Sequence, residues 1–178
     1  LRGDHTVIFE MGPLNETEET HARDVLWPRH FVMPEDPDSY AVWTLSQGQL
    51  VMGDSPTRFH HPEGYSEQAM SWHGGFQKGA GFIAIAETPD DMYLAMWHDH
   101  DTAGSTFFHW LPSHSMVRYT RRVAYTFGKG LDYRKMCGLY RKHAQGTGML
   151  VTLKEKVERN PNLNKLIGGC VLNAGAMS

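Results

Sequence analysis

Between Tyr40 and Phe127 the apolar residues fall mainly in short runs of aromatic and β-branched side chains, separated by turns rich in Gly, Pro and Asp. Runs of this length and composition predict strands. The stretch Tyr40-Ala41-Val42-Trp43-Thr44-Leu45, then Ser46-Gln47-Gly48-Gln49, then Leu50-Val51-Met52 reads as a hairpin, with Gly48 supplying the positive φ of the turn. Gly81-Phe82-Ile83-Ala84-Ile85-Ala86 alternates large and small side chains, as a strand buried on both faces does. Val117, Tyr119, Val123, Tyr125 and Phe127 share one parity, while Arg118, Thr120, Arg122 and Thr126 occupy the other, which predicts a half-solvated antiparallel strand. Thr88-Pro89-Asp90-Asp91 fits a helix N-terminus and a type I turn equally; the short run Met92 to Trp97 behind it favours a hairpin of two strands.

After Gly128-Lys129-Gly130 the period changes from two to about 3.6. Tyr133, Met136, Cys137, Tyr140 and Ala144 share one helical face, and Gly146 and Gly148 end the helix. Thr152-Leu153-Lys154-Glu155 matches a capping box, in which each side chain satisfies the other residue's orphan amide, and Asn160-Pro161 stops the helix that follows. Leu166 to Leu172 reads as a further strand. The expected fold is therefore mainly β, an antiparallel β-sandwich followed by helices and the opening strand of an α/β domain, divided as residues 1–128 and 129–178. A strand with nothing after it is an odd final element, so the chain reads as a piece of a larger protein.

Composition narrows the possible functions. The 178 residues are 40% hydrophobic and 21% charged, with 17 Lys and Arg against 20 Asp and Glu in both signs along the chain. That mixture lacks the basic footprint of a nucleic-acid binder, so no nucleic-acid partner is expected. No run of about 18 apolar residues occurs, so this stretch is expected to contain no membrane span. It also lacks the basic-then-apolar start of an intact signal peptide. The two cysteines, Cys137 and Cys170, lack CxxC spacing and form no disulfide framework.

Eleven histidines are present, among them His60-His61, His73 and the string His98-Asp99-His100-Asp101. In a strand His98 and His100 point to one face and can share a metal ion if a third ligand comes from elsewhere. Spacing fixes no such ligand, and the string adjoins Thr102-Ala103-Gly104-Ser105, which reads as an exposed loop. Of the five tryptophans, Trp43 and Trp97 fall inside predicted strands and read as core. Trp72-His73-Gly74-Gly75 reads as a Gly-rich turn, where an indole stacks on a sugar ring and the imidazole bonds its hydroxyls, making Trp72 and His73 candidate substrate-binding residues. Asp90-Asp91 and Asp99 with Asp101 are acidic pairs, but sequence spacing does not set the separation glycoside cleavage needs, and they read as turn-forming acids instead. Nucleophile-elbow, P-loop, zincin and dinucleotide motifs are all absent.

Trp72-His73-Gly74-Gly75 followed by Gly79-Ala80-Gly81-Phe82-Ile83-Ala84-Ile85-Ala86-Glu87-Thr88-Pro89-Asp90-Asp91 resembles a segment of large bacterial proteins similar to glycoside hydrolase families 129 and 101. Tyr140-Arg141, Gly148, Thr152-Leu153-Lys154-Glu155-Lys156, Asn160-Pro161 and Leu166-Ile167-Gly168-Gly169 are similar to the stretch that joins that family's sandwich to its catalytic barrel. The resemblance spans roughly residues 25 to 175. It implies a supersandwich-like domain packed on a (β/α)8 barrel that hydrolyses α-linked N-acetylgalactosamine or a related glycoside with two carboxylates. The carboxylates would lie on later barrel strands, leaving this chain the non-catalytic part; carbohydrate and the rest of its own polypeptide would be its partners. No cofactor is required, and the role suits secretion or a periplasmic location. Asn173, just past the apolar run, would then face substrate from the C-terminal end of the first barrel strand, unless it merely suits a turn. The alternatives are a stand-alone carbohydrate-binding or structural sandwich, and a metal-dependent enzyme built on His98 and His100.

Overall fold

The computed structural model describes residues 5–12, 17, 24–28, 31–32, 36–45, 48–55, 59–61, 68–99, 102–113 and 116–169. It divides into two compact units, Leu1–Tyr140 and Arg141–Ser178.

The first unit is an antiparallel β-sandwich. Strands β1 (Thr6–Met11), β4 (Tyr40–Leu45), β5 (Gln49–Met52), β7 (Gln68–Gln77), β8 (Ala80–Ala86) and β11 (Arg121–Lys129) form a six-stranded sheet in the order β1-β11-β8-β7-β4-β5. Strands β2 (Val25–Leu26), β6 (Phe59–His61), β9 (Met92–Asp99) and β10 (Thr102–Trp110) run β2-β10-β9-β6 in the second sheet, with β3 (Phe31–Val32) also paired to β10. The predicted hairpin is β4–β5, with Tyr40 opposite Met52 and Gly48 at φ 84. Lys78 and Gly79, both at positive φ, make the two-residue turn between β7 and β8, as the right-handed twist of a tight hairpin demands.

Alternation along β8 explains the layering. Ala84 and Ala86 face the sandwich interior with Trp43, Leu94, Met96, Phe108, Trp110, Val123 and Tyr125. Ile83 and Ile85 face the other way and join Val42, Trp72, Leu131 and Met136. The six-stranded sheet is thus covered on both faces, the outer one by the start of α1 (Tyr133–Gly146). Asp132 accepts from the Lys135 amide at 3.0 Å, and the Tyr40 hydroxyl accepts from the Tyr133 amide at 3.1 Å, fastening the helix to β4 where it begins. Tyr140 stacks on Trp72 at 5.9 Å. The helical face read from sequence needs one correction: Cys137 is exposed, and Leu139 packs inward with Tyr140 instead.

The expected β8–β9 hairpin is also corrected. β8 pairs with β7 and β11, whereas β9 pairs with β10 and β6, so residues 87–91 cross between the sheets.

In the second unit, α2 (Leu153–Arg159) carries the predicted capping box: the Thr152 amide donates to the Glu155 carboxylate at 2.7 Å, and the Glu155 amide donates to the Thr152 hydroxyl at 3.3 Å. A 3-10 helix, Pro161–Leu166, follows. Leu166 to Gly169 therefore close a helical turn, with Gly168 at φ 80, where sequence predicted the start of a strand; Cys170 to Leu172 lie outside the described residues. The run of apolar residues there is too short for periodicity to separate helix from strand, and Asn160-Pro161 starts a helical turn rather than only ending one.

Candidate functional site

Two inter-sheet crossovers, residues 87–91 and 111–120, meet at one end of the sandwich. The Leu111 amide donates to the Asp91 carbonyl at 2.7 Å, and the Tyr119 hydroxyl donates to the Asp90 carbonyl at 2.6 Å and to the Asp91 carboxylate at 3.3 Å. Ser113 donates to that carboxylate as well. Asp91 itself sits at φ 55, the left-handed region that Asp tolerates better than most residues.

The Arg121 side chain lies beneath these crossovers with 0% exposure. Its Nη2 donates to the Leu111 carbonyl at 3.2 Å and to Ser113 Oγ at 3.1 Å, and stands 3.6 Å from Asp91 Oδ2. The guanidinium lies 3.4 Å from the Tyr119 ring centroid and 5.8 Å from that of Trp110. Nε and Nη1 are buried without a hydrogen-bond partner. Burial pulls its pKa down, and Asp91 and Asp90 oppose that pull. Sequence reading overlooked this residue, although its parity with Val123 and Tyr125 places it inward. Beside it, Arg122 bridges Glu87 at 3.0 Å and also reaches Glu10. Of the three acids at the β8–β9 crossover, Glu87 and Asp91 thus have their carboxylates engaged in holding loops together.

Trp72 and His73 are not in a turn. Both lie within β7, and both are buried, at 1% and 0% exposure. Of the glycines that suggested a turn, Gly74 serves close packing: a Cβ there would stand 2.7 Å from Met136 Sδ, just as one on Gly81 of β8 would stand 2.0 Å from the Leu131 carbonyl. Consecutive strand residues face opposite ways, so the structure parts the pair: Trp72 under α1, His73 between the sheets against Phe108, Phe82 and Tyr125. Burial lowers the His73 pKa to about 3. His98 lies on β9 opposite Phe59, with its side chain outside the described part; His100 and Asn173 lie outside the described residues. Among the described residues no three His, Cys, Asp or Glu side chains cluster to hold a metal. No described helix is long and apolar enough to cross a membrane.

On the outer face of the smaller sheet, His109 Nε2 and Asp24 Oδ2 stand 2.9 Å apart, and the His109 ring lies 4.3 Å from that of Tyr93.

No family model matches the chain, and no curated protein does. Solved structures do. The GalNAc complex of alpha-N-acetylgalactosaminidase NagBb from Bifidobacterium bifidum is 28% identical, with a TM-score of 0.79 over 90% of this chain. The ligand-free form is 27% identical over 88% of this chain with a TM-score of 0.76, and the quadruple mutant 26% identical over 90% with a TM-score of 0.78. In each case the chain spans only 27% of the length of that enzyme. The chain is a mainly β sandwich similar to part of a solved glycoside hydrolase.

Proposed function

We propose that the chain is the β-sandwich part of a larger carbohydrate-active enzyme that hydrolyses α-linked N-acetylgalactosamine or a related glycoside, with the catalytic carboxylates on another part of the same polypeptide. One observation carries this reading: nine-tenths of the chain superposes on just over a quarter of an α-N-acetylgalactosaminidase. The engagement of Asp91 with Ser113 and Tyr119, and of Glu87 with Arg122, agrees with a supporting role. In this reading residues 1–128 are the sandwich, residues 129–178 lead into a (β/α)8 barrel, and Asn173 stands on the substrate side of that barrel. Trp72 and His73 make no sugar contact while the sandwich is closed, because neither side chain reaches solvent.

The test uses the native protein. An antibody raised to the chain is used to measure the mass of the source protein and to purify it, and the purified protein is assayed on p-nitrophenyl α-N-acetylgalactosaminide. A mass several times that of the 178 residues, together with release of nitrophenol, is the expected result. A mass equal to the chain alone overturns the reading, as does a large protein inert on α-linked N-acetylhexosaminides.

A further inference from the structure

His73 is the one titratable side chain among the described residues that is enclosed between the two sheets with both ring nitrogens buried and without a hydrogen-bond partner. Its ring lies 4.9 Å from Phe108 of the smaller sheet, and 5.8 Å and 6.1 Å from Phe82 and Tyr125 of its own sheet. A neutral imidazole survives there because its aromatic neighbours demand no charge; an imidazolium enclosed there loses its hydration and finds no counter-ion among the described residues. We propose that His73 is an acid-sensitive catch between the two sheets: on taking up a proton it drives the five-stranded sheet away from the six-stranded one, while α1 stays seated on the latter's outer face.

The second half follows from β7 itself. Its outward residues hold α1 through the Trp72–Tyr140 stack and the contact of Gly74 with Met136, neither of which contains a group that titrates in acid. On the same face of its own sheet, two strands away on β11, the Tyr125 phenol is the titratable neighbour of His73, and burial pushes its pKa up, so it is uncharged throughout. Arg121, the one charged side chain among the buried described residues, is four residues further along β11, about 13 Å at strand spacing, and is itself positive.

The direction with pH is fixed by where the proton binds. Enclosed, the ring has a pKa of about 3; released, it returns to its ordinary 6.5. Between these values only the opened state is protonated, so the closed state loses a factor of about ten per pH unit as pH falls below 6.5, and nothing is lost above it. Hydrogen exchange of the full native protein from pH 7 to pH 4, corrected for intrinsic rates, reads this directly. Amides of β9 and β10 are expected to lose protection about tenfold per unit below 6.5, those of α1 to keep it, and His73→Phe to abolish the difference. The same slope in His73→Phe, or joint loss in α1 and β10, overturns the proposal. If that variant does not fold, ring nitrogen spectra and amide exchange of the unmodified protein decide together: a His73 that takes up a proton near 6.5 while the amides of β9 and β10 keep their protection overturns the proposal, and one that is protonated only as those amides lose protection upholds it.

Discussion

A Cβ on Gly81 would stand 2.0 Å from the Leu131 carbonyl oxygen and 2.9 Å from Met136 Cε, and the first of these is backbone that cannot step aside. Gly81→Ala is therefore expected to destabilise the sandwich by about 1–3 kcal/mol or more, measured by urea unfolding. Gly79→Ala meets nothing within 4 Å and loses only the comfort of its φ of 75, about 1 kcal/mol. Equal losses at the two positions would mean that α1 does not bear on β8. Arg121 tests the crossovers. Arg121→Met takes a donor from the Leu111 carbonyl and from Ser113 Oγ and leaves Asp91 without its cation, an expected loss of about 1–3 kcal/mol, partly offset because two buried nitrogens that lack acceptors disappear with it. Arg121→Lys keeps the charge yet loses the planar contact with Tyr119, so its stability should fall close to that of the Met variant in the same measurement.

Single elements were far more legible than their pairings. The alternation of Ala84 and Ile85 announced a strand covered on both faces, and the change of period after Gly130 announced α1, because both patterns are written in consecutive residues. Thr152 and Glu155 announced their cap for the same reason. What was not legible is where β9 goes after Asp91: a short turn looks alike whether the chain doubles back or crosses to a second sheet, and the decision is made by distant partners such as β10. The same distance hid the site. Gly74 and Gly75 signalled a turn because the helix whose Met136 presses on Gly74 lies about sixty residues on. At this scale Thr152→Ala is expected to cost α2 roughly 1 kcal/mol of helix stability. Because α2 buries no residue, amide exchange there should quicken while unfolding of the sandwich is unchanged. Glu155 adds a pH signature: its amide and hydroxyl partners at Thr152 lower its pKa, so α2 should loosen as pH falls through the carboxylate range.

At the scale of the whole molecule, the described residues of the much longer first unit expose five large apolar side chains, Val7, Leu50, Met52, Leu111 and Phe127, while the short second unit exposes Met149, Leu150, Leu153, Leu166 and Ile167. The order of the larger sheet carries a further consequence. Among the described residues β1 pairs with β11 alone, Thr6 opposite Thr126, so the earliest described strand of this sheet in the sequence is held by its latest. During synthesis β7 and β8 can zip together at once across Lys78-Gly79, while β1 must wait, its backbone amides and carbonyls open to any passing strand, until residue 129 has left the ribosome. Nascent chains stalled with residues up to 110 exposed should therefore remain sensitive to protease across β1, and chains stalled with residue 129 exposed should become resistant there. The interval between those two lengths is when β1 is open to pairing with a strand of another chain.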